Sequence, residues 1–200
     1  MEPPEDKSKQ FMLALCGNPN VGKTTLFNRL TGLRAQTANF PGTTIERKIG
    51  TLKLGDEKIT VLDLPGMYSF NAATAEEQIS ADVLVGRAKG MSKPDGVVVL
   101  ADADNMERSL FLISQLSDQE IPMIVALNMV DIANRHGVHV DTTALSWDLG
   151  CPVVEIVANT GTGMDTLRAE IAKLVAGEEN EFLIHPIKHE TPAEAACGGC

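Results

Sequence analysis

The chain has 200 residues, 44% of them hydrophobic, which is enough for one ordinary domain with a sizeable core. Its 17 basic and 27 acidic side chains leave a net charge of −10, which disfavours broad nucleic-acid binding but is compatible with a small local basic patch. The polar, acidic residues 1–9 do not read as a secretory leader, no apolar run reaches the length of a membrane span, and four cysteines do not suggest a disulfide scaffold. The chain as given therefore reads as soluble, in a cytoplasmic, reducing setting, with Cys16 and Cys151 as buried thiols.

In chain order, 1–9 read as a flexible N-terminus, 10–176 as a single nucleotide-binding domain and 177–200 as a linker or tail leading to a further domain of a longer parent chain. Residues 11–16 form the first strand and 23–31 the first helix. Residues 33–44 lack periodicity and contain Pro41-Gly42, so they read as a loop. Strand-like runs at 45–54 and 58–63 flank Gly55-Asp56, a hairpin signal that supplies one antiparallel edge. A helix is expected over 75–89, a buried strand over 96–101 and a one-faced helix over 106–118. A buried strand over 122–127, a short helix over 141–149, a strand over 152–156 and a helix over 164–176 complete the domain. Alternating strands and helices predict an α/β fold of three layers, with a mostly parallel six-stranded sheet and one antiparallel edge strand.

Gly17-Asn18-Pro19-Asn20-Val21-Gly22-Lys23-Thr24 fits G-x-x-x-x-G-K-[ST] between the first strand and the first helix, and Thr25 follows it into the helix. Glycines let successive N–H groups turn inward onto phosphate oxygens, and the helix start adds its positive dipole end. Lys23 is expected to reach the β- and γ-phosphates, and the Thr24 hydroxyl to hold Mg²⁺. Asp63-Leu64-Pro65-Gly66 follows a strand one hairpin later, with Asp63 expected to bind Mg²⁺ through water and the Gly66 N–H to sense the γ-phosphate. Asn128-Met129-Val130-Asp131 ends another strand. A carboxylate at Asp131 can accept both N1–H and the N2 amino proton of guanine, whereas adenine leaves it unpaired. Asn128 is expected to brace the loop, and the Ala158 N–H within Val157-Ala158-Asn159 to donate to guanine O6. Val157 lacks the hydroxyl that many GTPases carry there, so this loop is expected to be looser. Thr44, with Thr43 as competitor, is expected to close over Mg²⁺ when a γ-phosphate is present, ordering loops 33–44 and 64–75.

Together these segments resemble the N-terminal G domain of the ferrous iron transport protein B family. The matches are Gly-Asn-Pro-Asn-x-Gly-Lys-Thr-Thr-Leu-Phe-Asn at 17–28, Pro-Gly-x-Thr at 41–44, Glu-Arg-Lys-x-Gly at 46–50, Asp-Leu-Pro-Gly-x-Tyr-Ser at 63–69, Asn-x-Glu-Arg at 105–108 and Asn-Met-x-Asp at 128–131. Met129 stands where most GTPases have Lys and is typical of this family. The resemblance covers about residues 10–176 and implies a GTP/GDP switch that regulates or powers ferrous iron uptake at the cytoplasmic face of the inner membrane. It also implies a membrane domain of the same protein as partner, so the chain looks like a fragment, or a member lacking the membrane part. An oligomer is left open. Met67 occupies the place of the water-orienting Gln of many small GTPases, so intrinsic turnover is expected to be slow. The resemblance suggests K⁺ at Asn20 as a substitute positive charge beside the phosphates, the alternative being that Asn20 only shapes the loop.

His185, His189, Cys197 and Cys200 have spacings compatible with one Zn²⁺ or Fe²⁺, against the reading of a linker with incidental residues. Two competing functions are a ribosome-assembly-type GTPase, disfavoured by Met129 and the acidic charge, and a nucleotide-dependent metal-binding module using that tail. An ATPase is disfavoured by Asp131.

Overall fold

The structure, a computed structural model, describes residues 10–119, 121–178, 180 and 182. The proposed N-terminal segment 1–9 and the metal ligands His185, His189, Cys197 and Cys200 lie outside the described residues. The elements run β1 (Met12–Gly17), α1 (Lys23–Thr31), β2 (Ala35–Asn39), β3 (Glu46–Leu54), β4 (Glu57–Asp63), α2 (Ala75–Leu84), β5 (Gly96–Asp102), α3 (Met106–Ser117), β6 (Met123–Asn128), α4 (Val130–Arg135), α5 (Thr142–Leu149), β7 (Val153–Glu155) and α6 (Met164–Ala176).

Among the described residues the sheet has the order β2-β3-β4-β1-β5-β6-β7. β1, β4, β5, β6 and β7 pair in parallel, and β3 pairs antiparallel with both β4 and β2. Sheet and helices form the expected α/β architecture, but the strand count is seven rather than six. The extra strand, β2, lies inside the segment that reads as a loop. All five of its residues are exposed, so it has no buried face to impose an alternation, and its pairing with β3 is what makes it a strand. Helix α2 also stops earlier than its sequence suggests, at Leu84, because the chain turns through Gly86 at a φ of 77°.

Two cores follow from the strand period of two. Leu13 and Leu15 of β1 join Leu26 and Phe27 of α1 and Leu167 and Ile171 of α6 on one face. Ala14 and Cys16 join Leu84 of α2 and Leu112 and Leu116 of α3 on the other. Central strands covered on both faces become continuous apolar runs, as in Val97–Ala101 and Met123–Leu127. The parallel strands β1, β4, β5 and β6 therefore end together, and the loops leaving their carboxyl ends carry the candidate site residues of 17–22, 64–67 and 128–131.

Candidate functional site

The stretch from Gly17 to Gly22 leaves β1 and enters α1 without a side-chain cap, and the first turn of α1 carries no acidic residue. The helix-start amides are left for an external acceptor, and Lys23, Thr24 and Thr25 form the turn that presents them. Asn20 holds a φ of 67°, a left-handed conformation that Asn tolerates better than most side chains, and it is exposed. Val21 is buried in the α1 core and pins the loop from below.

Asn128, 4% exposed at the end of β6, ties the loops together. Its Nδ2 donates to the Val21 carbonyl at 2.9 Å, and its Oδ1 accepts from the Ala158 N–H at 2.9 Å. A Cβ at Gly22 would lie 2.5 Å from that Nδ2, so only glycine lets the phosphate loop approach so closely, and its φ of 91° also suits glycine. The Ala158 N–H, expected to face guanine O6, here donates to Asn128 Oδ1. Gly66 is packed against the phosphate loop in the same way, because a Cβ there would meet Pro19 at 3.0 Å. The Met67 N–H donates to Gly17 O at 3.2 Å, while the Met67 side chain is fully buried in the α2–α3 core and points away from the loop.

Asp63 stands at the end of β4, in register with Leu15 on one side and Lys48 on the other. Its Oδ1 is buried without a hydrogen-bond partner, as is Oδ1 of Asn18. Burial pushes the Asp63 carboxyl above its ordinary value, with Lys23 and then Lys48 pulling it back. A buried, under-satisfied carboxylate beside a lysine is a fitting place for a hydrated cation. Among the described residues the free cysteines Cys16 and Cys151 are buried, and desolvation raises each thiol to about 12, so neither is a reactive nucleophile.

Asp131 lies exposed in the first turn of α4, which Met129 opens in the left-handed region at a φ of 65°. Its Oδ2 is 3.5 Å from Arg135, an exposed pair that yields readily to another donor. Thr44 is not drawn to the phosphate loop. Thr43 is held in a local turn, where its hydroxyl donates to Phe40 O and accepts from the Ile45 N–H, each at 3.1 Å. Thr44 is exposed and borders a cavity of about 840 Å³ with Ala75, Gln78 and Ile79 of α2.

Two contacts have no local signature in the sequence. Arg29, in the last turn of α1, donates through Nε to Ala158 O and through Nη2 to Asn159 O. The loop 157–163 is further closed by Val157 N–H to Thr162 O at 3.0 Å, and the Thr160 hydroxyl donates to Val157 O at 3.3 Å. Neighbouring hydroxyls and Arg29 therefore brace a loop whose Val157 has none. Glu77, only 9% exposed, accepts from the Ala73 N–H at 2.8 Å and the Tyr68 N–H at 3.4 Å, so it gathers the segment after Gly66. Partners 4 and 9 residues away explain why Glu77 shows at most as a helix-start acid.

The chain matches the profile of the ferrous iron transport protein B family over residues 11–171. It belongs to that family, and the part matched is the N-terminal G domain. The Fe(2+) transporter FeoB of Shigella flexneri is 42% identical over 182 residues, covering 88% of this chain and 23% of the relative. That of Salmonella typhimurium is 43% identical over the same coverage. The chain thus spans about a quarter of the length of these relatives. The G domain of the T. maritima FeoB iron transporter superposes with a TM-score of 0.75 at 35% identity, covering 84% of this chain and 99% of that one. The cytosolic domain of L. pneumophila FeoB gives 0.76 at 40% identity, covering 82% of this chain and 68% of that one. The T. maritima cytosolic domain in a GMPPNP form gives 0.77 at 37% identity, covering 86% and 65%. Among the described residues no helix is long and apolar enough to cross a membrane.

The raised carboxyl of Asp63 sets a stability test. A folded state that binds this proton more tightly than the unfolded chain loses stability as pH rises from 3.8 through the raised value. Asp63→Asn is therefore expected to melt at a higher temperature than the parent at pH 7 without nucleotide or Mg²⁺, by a margin that shrinks as pH falls toward 3.8. A lower melting temperature at neutral pH would contradict the assignment.

Proposed function

We propose that this G domain binds GTP and GDP with Mg²⁺, hydrolyses GTP slowly, and acts as the cytoplasmic switch of a ferrous iron transporter. The observation that carries this reading is Asn128, bonded at once to the phosphate loop and to the 157–159 loop, with the Asp131 carboxylate three positions on. A phosphate grip and a guanine-reading edge are thereby held as one unit. The GMPPNP and GDP forms solved for the T. maritima relative support the same ligand class here.

The roles follow from the chemistry of each group. Backbone amides of 17–25 cradle the phosphates, and the Lys23 ammonium neutralises charge on them. Thr24 and Asp63 are the residues that fit Mg²⁺, with Thr44 joining once the β2–β3 loop swings in and the Gly66 N–H facing the γ-phosphate. Bound there, Mg²⁺ would supply charge neutralisation to the polyphosphate. Thr44 therefore has to leave its position beside α2, and this displacement is the switch. The Ala158 N–H, engaged by Asn128 Oδ1 in the unliganded chain, would turn to guanine O6 when the base is bound. Met67, committed to the core, cannot orient water, which accounts for slow turnover. Asn20, exposed on the strained crest of the loop, is the residue that fits K⁺ as a substitute for an arginine finger. By their likeness to FeoB transporters, the remaining three quarters of the relatives' length contain the transport machinery that the switch serves, at the inner membrane.

Calorimetry is expected to find GTP and GDP bound and ATP not bound at comparable concentrations. Asp131→Asn should reverse the preference toward xanthine nucleotides, whose 2-oxo group accepts from the new amide. Equal binding of adenine and guanine nucleotides by the parent protein would overturn the reading.

At equal ionic strength, kcat for GTP is expected to be higher in KCl than in NaCl, and Asn20→Asp should abolish the difference. Equal rates in both salts would remove the K⁺ role.

Arg29→Ala should speed release of a fluorescent GDP analogue on the order of tenfold, equivalent to about 1.4 kcal/mol for the lost charge-assisted bonds. Arg29→Lys should recover only part, because an ammonium cannot serve two carbonyls as a guanidinium fork does. Unchanged stopped-flow rates would show that the 157–159 loop needs no such brace.

A further inference from the structure

A net charge of −10 makes any cluster of cations on this protein costly to explain by chance placement. Five of them line one cleft. Arg29, Arg34, Lys53, Lys58 and Arg168 surround a cavity of about 750 Å³ between the C-terminal end of α1, the start of β2 and the β3–β4 hairpin, and among the described residues no carboxylate lines it. Lys53 and Lys58 are register partners across β3 and β4, an arrangement of like charges that weakens the strand pair. Among the described residues Arg34, Lys53 and Lys58 make no ion pair, and all three are exposed.

The other two cations are already oriented. Arg29 is held on the 158 and 159 carbonyls. Arg168 donates through Nη2 to Arg29 O at 3.1 Å and to Leu30 O at 3.4 Å. These bonds fix one wall of the cleft, and among the described residues neither guanidinium has an ion pair with an acid. The opposite wall is opened by topology. β2 pairs with β3 only as far as Gly50, so the β3 edge from Thr51 onward has no strand beside it. The cleft lies at the far end of α1 from the phosphate loop, roughly 13 Å away by the rise of a nine-residue helix. Apart from Arg29, which also holds the 158–159 loop, its lining is distinct from the phosphate loop.

We infer that this cleft is a second anion site that takes a phosphate-bearing group. A phosphate monoester carries close to two charges and three acceptor oxygens, which matches several converging Lys and Arg donors better than a single carboxylate does. A bound phosphate also relieves the Lys53–Lys58 repulsion. The same chemistry is offered by a soluble phosphate and by the headgroup of an anionic lipid.

The test uses the full chain, ¹⁵N-labelled and saturated with GDP and Mg²⁺ so that the phosphate loop is filled. Titration with inorganic phosphate should shift the amides of 29–36, 49–53 and 58 saturably. In a second arm, vesicles of phosphatidylglycerol and phosphatidylcholine should retain the protein while phosphatidylcholine alone should not. Response to phosphate without vesicle retention identifies a soluble ligand, and retention without that response identifies a lipid headgroup. Lys53→Glu turns the like-charge pair into an ion pair, so it should fold at least as stably by thermal melt and bind GDP unchanged. It should weaken the anion about tenfold, the scale expected for reversing one charge in a cluster. Absence of both responses, shifts confined to 17–25, or an unaltered Lys53→Glu response would overturn the inference. Should GDP fail to bind, the nucleotide reading falls by itself, and titration of the nucleotide-free chain still reports on the cleft.

Discussion

The structure depends on one buried amide. Asn128 has a donor and an acceptor on the same planar group, and both are spent on backbone belonging to different loops. Buried, it cannot fall back on water, so loss of either bond leaves a polar atom unsatisfied. The loop from β1, the end of β6 and the loop after β7 therefore share one geometry, and Gly22 is glycine because nothing larger lets the first of them come so close. Loops separated by more than a hundred residues are thereby held as one unit.

Around this frame the charges are arranged for something not made of protein. Asp63 is buried with an oxygen unpartnered, and the attraction of Lys23 and Lys48 does not fully offset its desolvation. Packing for stability alone favours a neutral residue there. Such a carboxylate costs stability in the unliganded chain. Thr44 shows the complementary device. Its neighbour Thr43 satisfies the local turn, leaving Thr44 exposed on that loop.

Arg29 joins the nucleotide site to the cationic cleft at the other end of α1. Its fork rests on the carbonyls beside Ala158, while its charge helps to line the cleft. An anion there competes for the same guanidinium, so the two ends of one short helix are electrostatically coupled. The acidic surface elsewhere sharpens the contrast, because a small basic cleft on an anionic domain selects multiply charged ligands over weak ones.

Much of this was legible in the amino-acid order. The glycine loop, Asp63, Asn128 and Asp131 stand at strand ends whose apolar runs announce them, and local steric rules suffice to place them on loops. The buried strands 96–101 and 122–127 and the helix 164–176 were legible for the same reason. β2 was not, because an edge strand exposed on both faces has no period of its own. The grasp of Arg29 on the 158–159 carbonyls, the clasp of Glu77 on its own loop and the convergence of Lys53 with Arg168 were equally hidden. The amino-acid order by itself determined which short segments carry the chemistry, since propensity and periodicity act over a few neighbours. Tertiary structure alone decided which distant groups meet, since a hydrogen bond spanning 129 residues leaves no trace in local pattern.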